Sequence, residues 1–189
     1  GTELQFKDDE LAEIVSTAHM LGRRVAAHAH GTSGVNAALR AGVDSIEHGT
    51  FLDAASLELF KKSGAWYVPT VIAGVSVGER AKLPGFYPPA VAEKARRVGP
   101  QVQDALRRAQ AGGVRIAFGT DAGVFPHGEN ARELGYMVEA GMPAAAALQS
   151  ATFNAAQVLG ADDLGQLQPG FHADVVAVPA LRDVPRFST

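Results

Sequence analysis

Four times along the chain, a helix-like segment ends at a glycine and a short apolar run follows it. The runs are VAAHAH, VDSIEH, AWYVPT and VRIAFGTD, and amphipathic segments of about a dozen residues or more separate them. Strands joined by crossovers of that length pair in parallel, because a tight hairpin cannot connect them. The sequence therefore predicts an α/β fold with about four βα units. A closed TIM-type barrel has eight units, so the pattern indicates half of a (β/α)8 barrel.

Predicted helices occupy the intervals between these runs. They cover 8–22, 31–42, 53–64, 89–111, 129–140 and 143–159. The interval 71–90 contains three prolines and three glycines and is predicted to be a long loop over the strand ends. The turn Gln168-Pro169-Gly170 lies between two β-like runs of the tail. We therefore divide the chain into a half-barrel domain, 1–160, and a β tail, 161–189, that forms a small β element outside the main fold.

Side chains suited to metal binding stand where three of the apolar runs end. They are His28, His48 and Asp121. The carboxyl ends of parallel strands meet at one face of a barrel, so these side chains are expected to converge. The chain has no cysteine, so any metal must be held by imidazole and carboxylate groups. Asp121 taken alone could equally cap the following turn, and its joint occurrence with two strand-end histidines favours a role in a metal site.

Several longer segments resemble the C-terminal half of the amidohydrolase superfamily. They are VAAHAHGTSGVNAALRAGVDSIEHGTFLD, GTDAGVFPHGENARELGYMVEAGM, ALQSATFNAAQVLG and GQLQPGFHADVVAVP. The most similar members are metal-dependent Xaa-Pro dipeptidases and carboxypeptidase-like proteins, near imidazolonepropionase. The resemblance implies a (β/α)8 barrel with one or two divalent metals, with Zn²⁺ the expected ion. A small β-sandwich, to which the β tail 161–189 would belong, is implied as well. It also implies that His28, His48 and Asp121 are the site residues of strands five, six and eight.

The family's His-x-His pair on strand one and the lysine that bridges two metals from strand four have no convincing counterpart here. HAH at 28–30 could itself be such a pair, but the following GTSGV and the IEHG downstream fit the strand-five context better. The remaining ligands are therefore expected on an N-terminal half of the barrel. The expected partner is that half, or a second copy bound through the open sheet edges, and the 189-residue chain alone is expected to be inactive.

The implied function is hydrolysis of an amide or peptide-like bond by metal-activated water, as in a dipeptidase, carboxypeptidase or N-acyl amino acid amidase. Asp121 would accept the proton of the water and pass it to the leaving amine. Two alternatives remain open. One is a cyclic-amide hydrolase or deaminase of the same superfamily, and the other is an inactive half-barrel that acts as a binding module.

Further residues are candidates for contacting the substrate. His30 lies two positions after His28 on the same strand face, and it is either a pocket residue or a structural histidine. His127, in FPHGEN, either lines the pocket or fixes the loop after Asp121. Glu47 is expected to point to the opposite side of its strand and pair with a helix residue. Four more candidates for recognising a carboxylate or an apolar group are Tyr67, Arg80, Phe86 and Tyr87.

Composition excludes other classes of function. The formal net charge is −3 and the basic residues are scattered, so nucleic acid is not an expected partner. No apolar stretch approaches the roughly 18 residues of a membrane span, and neither a GxSxG nor a GxGxxG motif is present. We expect a soluble protein, in either the cytoplasm or the periplasm. Gly1 in place of an initiator methionine is compatible with removal of a leader.

Overall fold

The computed structural model describes residues 3–177, which alternate between strands and helices. In chain order the elements are α1 (Asp8–Met20), β1 (Ala26–Ala29), α2 (Thr32–Ala41), β2 (Ser45–His48), α3 (Ala54–Ser63), β3 (Trp66–Val68), α4 (Val71–Arg80), α5 (Pro89–Ala111), α6 (Arg132–Glu139), α7 (Ala144–Gln149) and α8 (Ala155–Leu159). A π-helical turn, Ser150–Asn154, joins α7 to α8. The α/β fold class predicted from the sequence is confirmed.

The three strands form one parallel sheet in the order β1-β2-β3. The predicted fourth strand is reduced to a single parallel bridge between Tyr67 and Ile116. It still lies beside β3, because the Tyr67 amide donates to the carbonyl of Arg115 (2.8 Å) and the Ala117 amide donates to the carbonyl of Tyr67 (3.0 Å). Four consecutive βα units therefore bring their strand ends to one edge of the sheet, which is where a functional site is expected.

Several helices begin and end close to where the sequence signals place them. The Asp53 carboxylate caps α3 by accepting the Ser56 amide at 2.7 Å. The helix then ends at Gly64, which adopts the left-handed conformation with φ 70°. Helix α5 spans Pro89–Ala111, the range predicted from its periodicity. The helix predicted over 143–159 begins one residue later, with Pro143 at the N-cap position of α7.

The prediction of a loop over 71–90 is wrong for its first half, which forms α4. Two of the glycines that suggested a loop, Gly74 and Gly78, are residues through which α4 packs against α5. A Cβ atom on Gly74 would lie 2.6 Å from a methyl carbon of Val102, and one on Gly99 would lie 3.4 Å from the Cα of Gly78. This close packing compensates for the low helix propensity of glycine. Residues 81–88 alone connect the two helices.

On the opposite side, β1 is the edge strand of the sheet within the described residues. Large apolar side chains are exposed near that edge, namely Leu4 (52%), Phe6 (51%), Ile14 (44%) and Leu21 (66%). The described part of the tail, 161–177, contains turns and bends without a strand. The remainder of the predicted β tail lies outside the described residues, so its assignment to a β-sandwich stays a prediction. No helix in the described part of the chain is long and apolar enough to cross a membrane.

Candidate metal centre

Three histidines converge where β1 and β2 end. The ring centroids of His28 and His48 lie 4.6 Å apart, those of His28 and His30 4.9 Å, and those of His30 and His48 4.8 Å. One potential ligand nitrogen from each ring lies within 4.8 Å of the other two. The strand-end argument therefore brings His28 and His48 together, and the cluster also includes His30, which the sequence could not distinguish from a structural histidine.

An unusual backbone conformation directs His48 into the cluster. His28 is in register with Glu47 of the neighbouring strand, and residues in register share a face of the sheet. Continued alternation would send the next side chain, that of His48, to the other face. His48 instead has φ 72°, and Thr70 (φ 50°) and Asp121 (φ 54°) are the other non-glycine residues with positive φ in the described chain. Such conformations cost about 1–3 kcal/mol each and concentrate at functional sites.

Buried threonine hydroxyls fix two of the imidazole rings. Thr50 Oγ1 lies 2.8 Å from His30 Nδ1, and Thr70 Oγ1 lies 2.7 Å from His48 Nδ1. Hydrogen bonds at Nδ1 set the orientation of the ring and leave Nε2 available to a metal. Both threonines are almost completely buried. Neither threonine was predicted from the sequence, although each lies two positions past the end of a strand, in HGT and VPT, and this position is a usable signal.

The electrostatics of the cluster fit a cation-binding site. Burial, reinforced by the neighbouring histidines, lowers the pKa of His30 to about 4, and burial with the charge of His28 lowers the pKa of His48 to about 4. Both imidazoles are therefore neutral at pH 7, the form that binds metals. Neutral imidazoles from separate strands are a donor set suited to Zn²⁺ and other transition-metal dications.

Asp121 lines the same cavity, of about 350 Å³, as the three histidines. Its carboxylate does not belong to the compact group of ligand atoms, and its side chain is exposed.

Glu47 is a second carboxylate near the cluster. Burial raises the pKa of Glu47, and the charge of Asp121 raises it further, whereas the hydrogen bond from Ser45 lowers it. Glu47 thus pairs with its own strand rather than with a helix residue, because the Ser45 hydroxyl donates to it at 2.7 Å.

Tyr67 and Arg80 support the site instead of lining it. Tyr67 is completely buried and does not line the cavity, so its contact with a substrate stays a prediction. Its hydroxyl donates to the backbone carbonyl of His48 at 2.9 Å and so braces the strained strand end. The Arg80 guanidinium donates to the carbonyl of Val124, and through this bond it holds the loop after Asp121.

The other predicted contacts lie outside the cavity. His127 is exposed and does not line it, so a role in fixing the loop after Asp121 stays a prediction. Phe86 and Tyr87 form an edge-to-face pair with ring centroids 4.9 Å apart, and the Arg80 guanidinium lies 5.6 Å from the Phe86 centroid. These aromatic rings pack on one another between α4 and α5.

The wall of the cavity that α4 and α5 build is largely apolar. It consists of Ala73, Gly74, Val77, Val91, Ala95, Val98 and Val102. Lys94 is the cationic group in the lining of this cavity. The lining of the cavity therefore combines a histidine cluster suited to binding a metal, a carboxylate, an apolar surface and one ammonium group.

The lowered histidine pKa values predict acid sensitivity of the metal-free protein. Because the folded pKa of about 4 lies below the ordinary 6.5, the unfolded chain binds protons first as the pH falls. The contribution of the two neutral histidines to the free energy of unfolding is complete above pH 6.5 and is lost as the pH falls toward 4. After allowance for partial exposure, we expect the free energy of unfolding to fall by roughly 2 kcal/mol for each of the two histidines. Urea unfolding at a series of pH values measures this loss.

The matched comparison is the double variant His30→Asn, His48→Asn, in which this component of the pH dependence should disappear. His127→Asn, an exposed histidine, serves as the control and should leave the profile unchanged. A double variant that loses stability with acid as steeply as the unmodified chain would contradict the assignment.

Comparison with known proteins agrees with this geometry. The sequence profile of the amidohydrolase family matches residues 2–187. An ochratoxinase of Aspergillus niger is 37% identical over 181 residues, which are 92% of this chain and 36% of the relative. The crystal structure of that enzyme superposes with a TM-score of 0.81 at 35% identity over 92% of this chain and 40% of its own.

Two further solved structures are similar. A Xaa-Pro dipeptidase with methionine bound in its active site is 49% identical, with a TM-score of 0.89 over 92% of this chain and 43% of its own. A prolidase complexed with N-methylphosphonate-L-proline is 30% identical, with a TM-score of 0.81 over 90% of this chain and 41% of its own. The chain spans less than half the length of these relatives, which confirms the half-barrel interpretation. It belongs to the amidohydrolase family.

Proposed function

We propose that this chain carries the C-terminal part of the active site of a metal-dependent hydrolase that cleaves an amide or peptide-like bond. The reaction would be of the dipeptidase, carboxypeptidase or N-acyl amino acid amidase type, and an N-terminal half of the barrel would complete the site. The observation that carries the proposal is the convergence of His28, His30, His48 and Asp121 on one cavity with an apolar wall. The dipeptidase, prolidase and ochratoxinase relatives support the same class of bond.

In this proposal His28 and His48 hold the metal, and the ring of His30 is close enough to serve a second ion or the substrate. A divalent metal at this position supplies Lewis-acid polarisation of the scissile carbonyl and lowers the pKa of water toward 7. Asp121 accepts the proton of the attacking water and returns it to the leaving amine. The hydroxyls of Thr50 and Thr70 hold the imidazoles in orientation throughout.

The apolar wall and Lys94 favour a substrate that carries both an apolar side chain and a carboxylate. Lys94 lines the cavity and its charge helps to lower the pKa of His30 after burial and the two other histidines. It has no ion-pair partner among residues 3–177. An unpaired ammonium group beside an apolar surface is suited to the terminal carboxylate of a dipeptide or an N-acyl amino acid.

The test measures hydrolysis of a panel of substrates by a complete barrel, made by joining this chain to an N-terminal half, with and without a metal chelator. We expect chelator-sensitive hydrolysis of dipeptides or N-acyl amino acids with apolar side chains. Deamination of bases or opening of imidazolones, with no cleavage of dipeptides, would replace the proposal with the alternative amidohydrolase chemistry. Failure to hydrolyse any of these with metal bound would favour a binding module.

Lys94→Gln is expected to raise KM for carboxylate-bearing substrates about tenfold, with little change in kcat. The reason is that a charge-assisted hydrogen bond to a bound carboxylate contributes about 1.5 kcal/mol, which corresponds to about a factor of ten. The matched control is Arg97→Gln, an exposed cation of the same helix that does not line the cavity. Steady-state kinetics are measured on a dipeptide and on its C-terminal amide, which lacks the carboxylate. An equal rise in KM for both substrates would show that Lys94 does not bind the carboxylate.

A further inference from the structure

Glu133 is a buried carboxylate that the proposed chemistry does not use. It lies on α6 with 0% of its surface exposed, and it is the one charged residue in the buried class of the described chain, residues 3–177. Burying a carboxylate is costly unless hydrogen bonds replace its hydration. Its hydrogen-bond partners therefore indicate its role.

Those partners are the backbone amides at the start of α4. The Val71 and Ile72 amides donate to the two carboxylate oxygens of Glu133 at 2.9 and 2.6 Å. The first amides of a helix have no partner within the helix and carry partial positive charge. Burial raises the pKa of Glu133 to about 7, while these two amides act in the opposite direction and favour the ionised form. Glu133 thus caps α4 from a helix about 60 residues further along the chain.

Thr70 occupies the position that would ordinarily provide this cap. A threonine at the N-cap position uses its own hydroxyl to accept an amide of the first helical turn. Thr70 makes no such bond. Its hydroxyl instead lies 2.7 Å from Nδ1 of His48, and its backbone adopts φ 50°. The hydroxyl that would ordinarily cap α4 therefore contacts the His48 ring of the metal centre instead.

We propose that Glu133 is a positioning residue for the metal centre: by capping α4 from outside, it leaves the Thr70 hydroxyl free to fix the ring of His48. This inference rests on the proposed metal site. For Nε2 of His48 to present a lone pair, Nδ1 must carry the proton and donate it to Thr70 Oγ1. Loss of the Glu133 carboxylate leaves the α4 amides without a partner, so the Thr70 hydroxyl turns back to the helix and His48 loses its acceptor.

The experiment compares Glu133→Gln with Thr70→Val and with the control Glu139→Gln, which changes an exposed carboxylate of the same helix. Glutamine offers one acceptor oxygen in place of two and turns an N–H group toward the helix amides. Nitrogen-15 NMR of the histidine side chains in the metal-free chain reports which nitrogen of His48 is protonated. Calorimetric titration with Zn²⁺ gives the dissociation constant, and thermal unfolding gives Tm.

We expect the unmodified chain to show one His48 tautomer with the proton on Nδ1. Glu133→Gln should lower Tm, give a mixture of tautomers, and weaken Zn²⁺ binding 10- to 100-fold, the usual effect of losing a group that orients a ligand. Thr70→Val should reproduce the tautomer mixture and the weaker binding with little change in Tm, because Glu133 still caps the helix. Glu139→Gln should match the unmodified chain.

A Glu133→Gln protein with lowered Tm but unchanged His48 tautomer and Zn²⁺ affinity would show that Glu133 only stabilises the fold, and the proposal would be overturned. If Glu133→Gln does not fold, Thr70→Val decides: a large loss of Tm with an unchanged His48 signal would show that Thr70 is itself the cap. If neither the unmodified chain nor the chain joined to an N-terminal half of the barrel binds Zn²⁺, the proposed metal site fails, whereas the NMR comparison still tests the link between Glu133 and His48.

Discussion

The 189-residue chain alone should hydrolyse a dipeptide with kcat/KM at least about 10³-fold below that of a completed barrel. The reason is that a metal ion and fixed dipoles stabilise the transition state only when the site is closed and all metal ligands are present. A completed barrel can be made by joining this chain to the N-terminal portion of the Xaa-Pro dipeptidase that is 49% identical to it. Asp121 is exposed in the chain, and β1 has a free edge within the described residues. An N-terminal half of the barrel is expected to cover both.

The exposed apolar side chains near β1 also predict physical association of the two halves. Leu4, Phe6, Ile14 and Leu21 present a surface that a neighbouring βα unit would bury. Mixing the separately produced halves should therefore restore part of the activity and yield a 1:1 complex by size-exclusion chromatography. If the chain alone hydrolyses the dipeptide with a kcat/KM within tenfold of that of the completed barrel (the chimera), the prediction of an inactive chain is contradicted. Circular dichroism of both proteins excludes misfolding as the cause of a difference in activity.

The parts of the fold that the sequence predicted best are those with local signals. The bounds of α5 follow from its periodicity, the proline at its start and the glycines after its end. Helix α4 has no such signals, because its glycines serve a contact with α5 that is distant in sequence. The fourth strand was predicted as a full strand, but it is paired at only one bridge. Pairing depends on neighbours that local sequence does not specify.

The residues of the candidate site also differ in whether the local sequence predicts them. Each of His28, His48 and Asp121 follows its own strand, so a repeating βα pattern was enough to place all three on one cavity. Groups that orient these side chains carry no periodic signature. Glu133 acts on α4 from about 60 residues away, and the position of Tyr67 beneath His48 depends on the packing of two strands. Such roles can be read only from coordinates.

Asp121→Asn in the chimera is expected to lower kcat about 10³-fold with little change in KM. A positioned acid or base contributes about 10²–10⁴-fold, and asparagine keeps the shape of the side chain while losing the ability to take up a proton. A group that acts mainly in the transition state affects kcat rather than uniform binding. Steady-state kinetics with metal content measured on the same samples separates loss of proton transfer from loss of metal.

Glu47→Gln is the informative companion, because Glu47 is the carboxylate whose pKa the charge of Asp121 helps to raise. Burial favours its protonated form and Ser45 already donates to it, so we expect a smaller loss than for Asp121→Asn. Glu129→Gln, in the segment after Asp121 and paired with Arg132 at the surface, should leave kcat unchanged. A greater loss in Glu47→Gln than in Asp121→Asn would transfer the role of proton acceptor from Asp121 to Glu47.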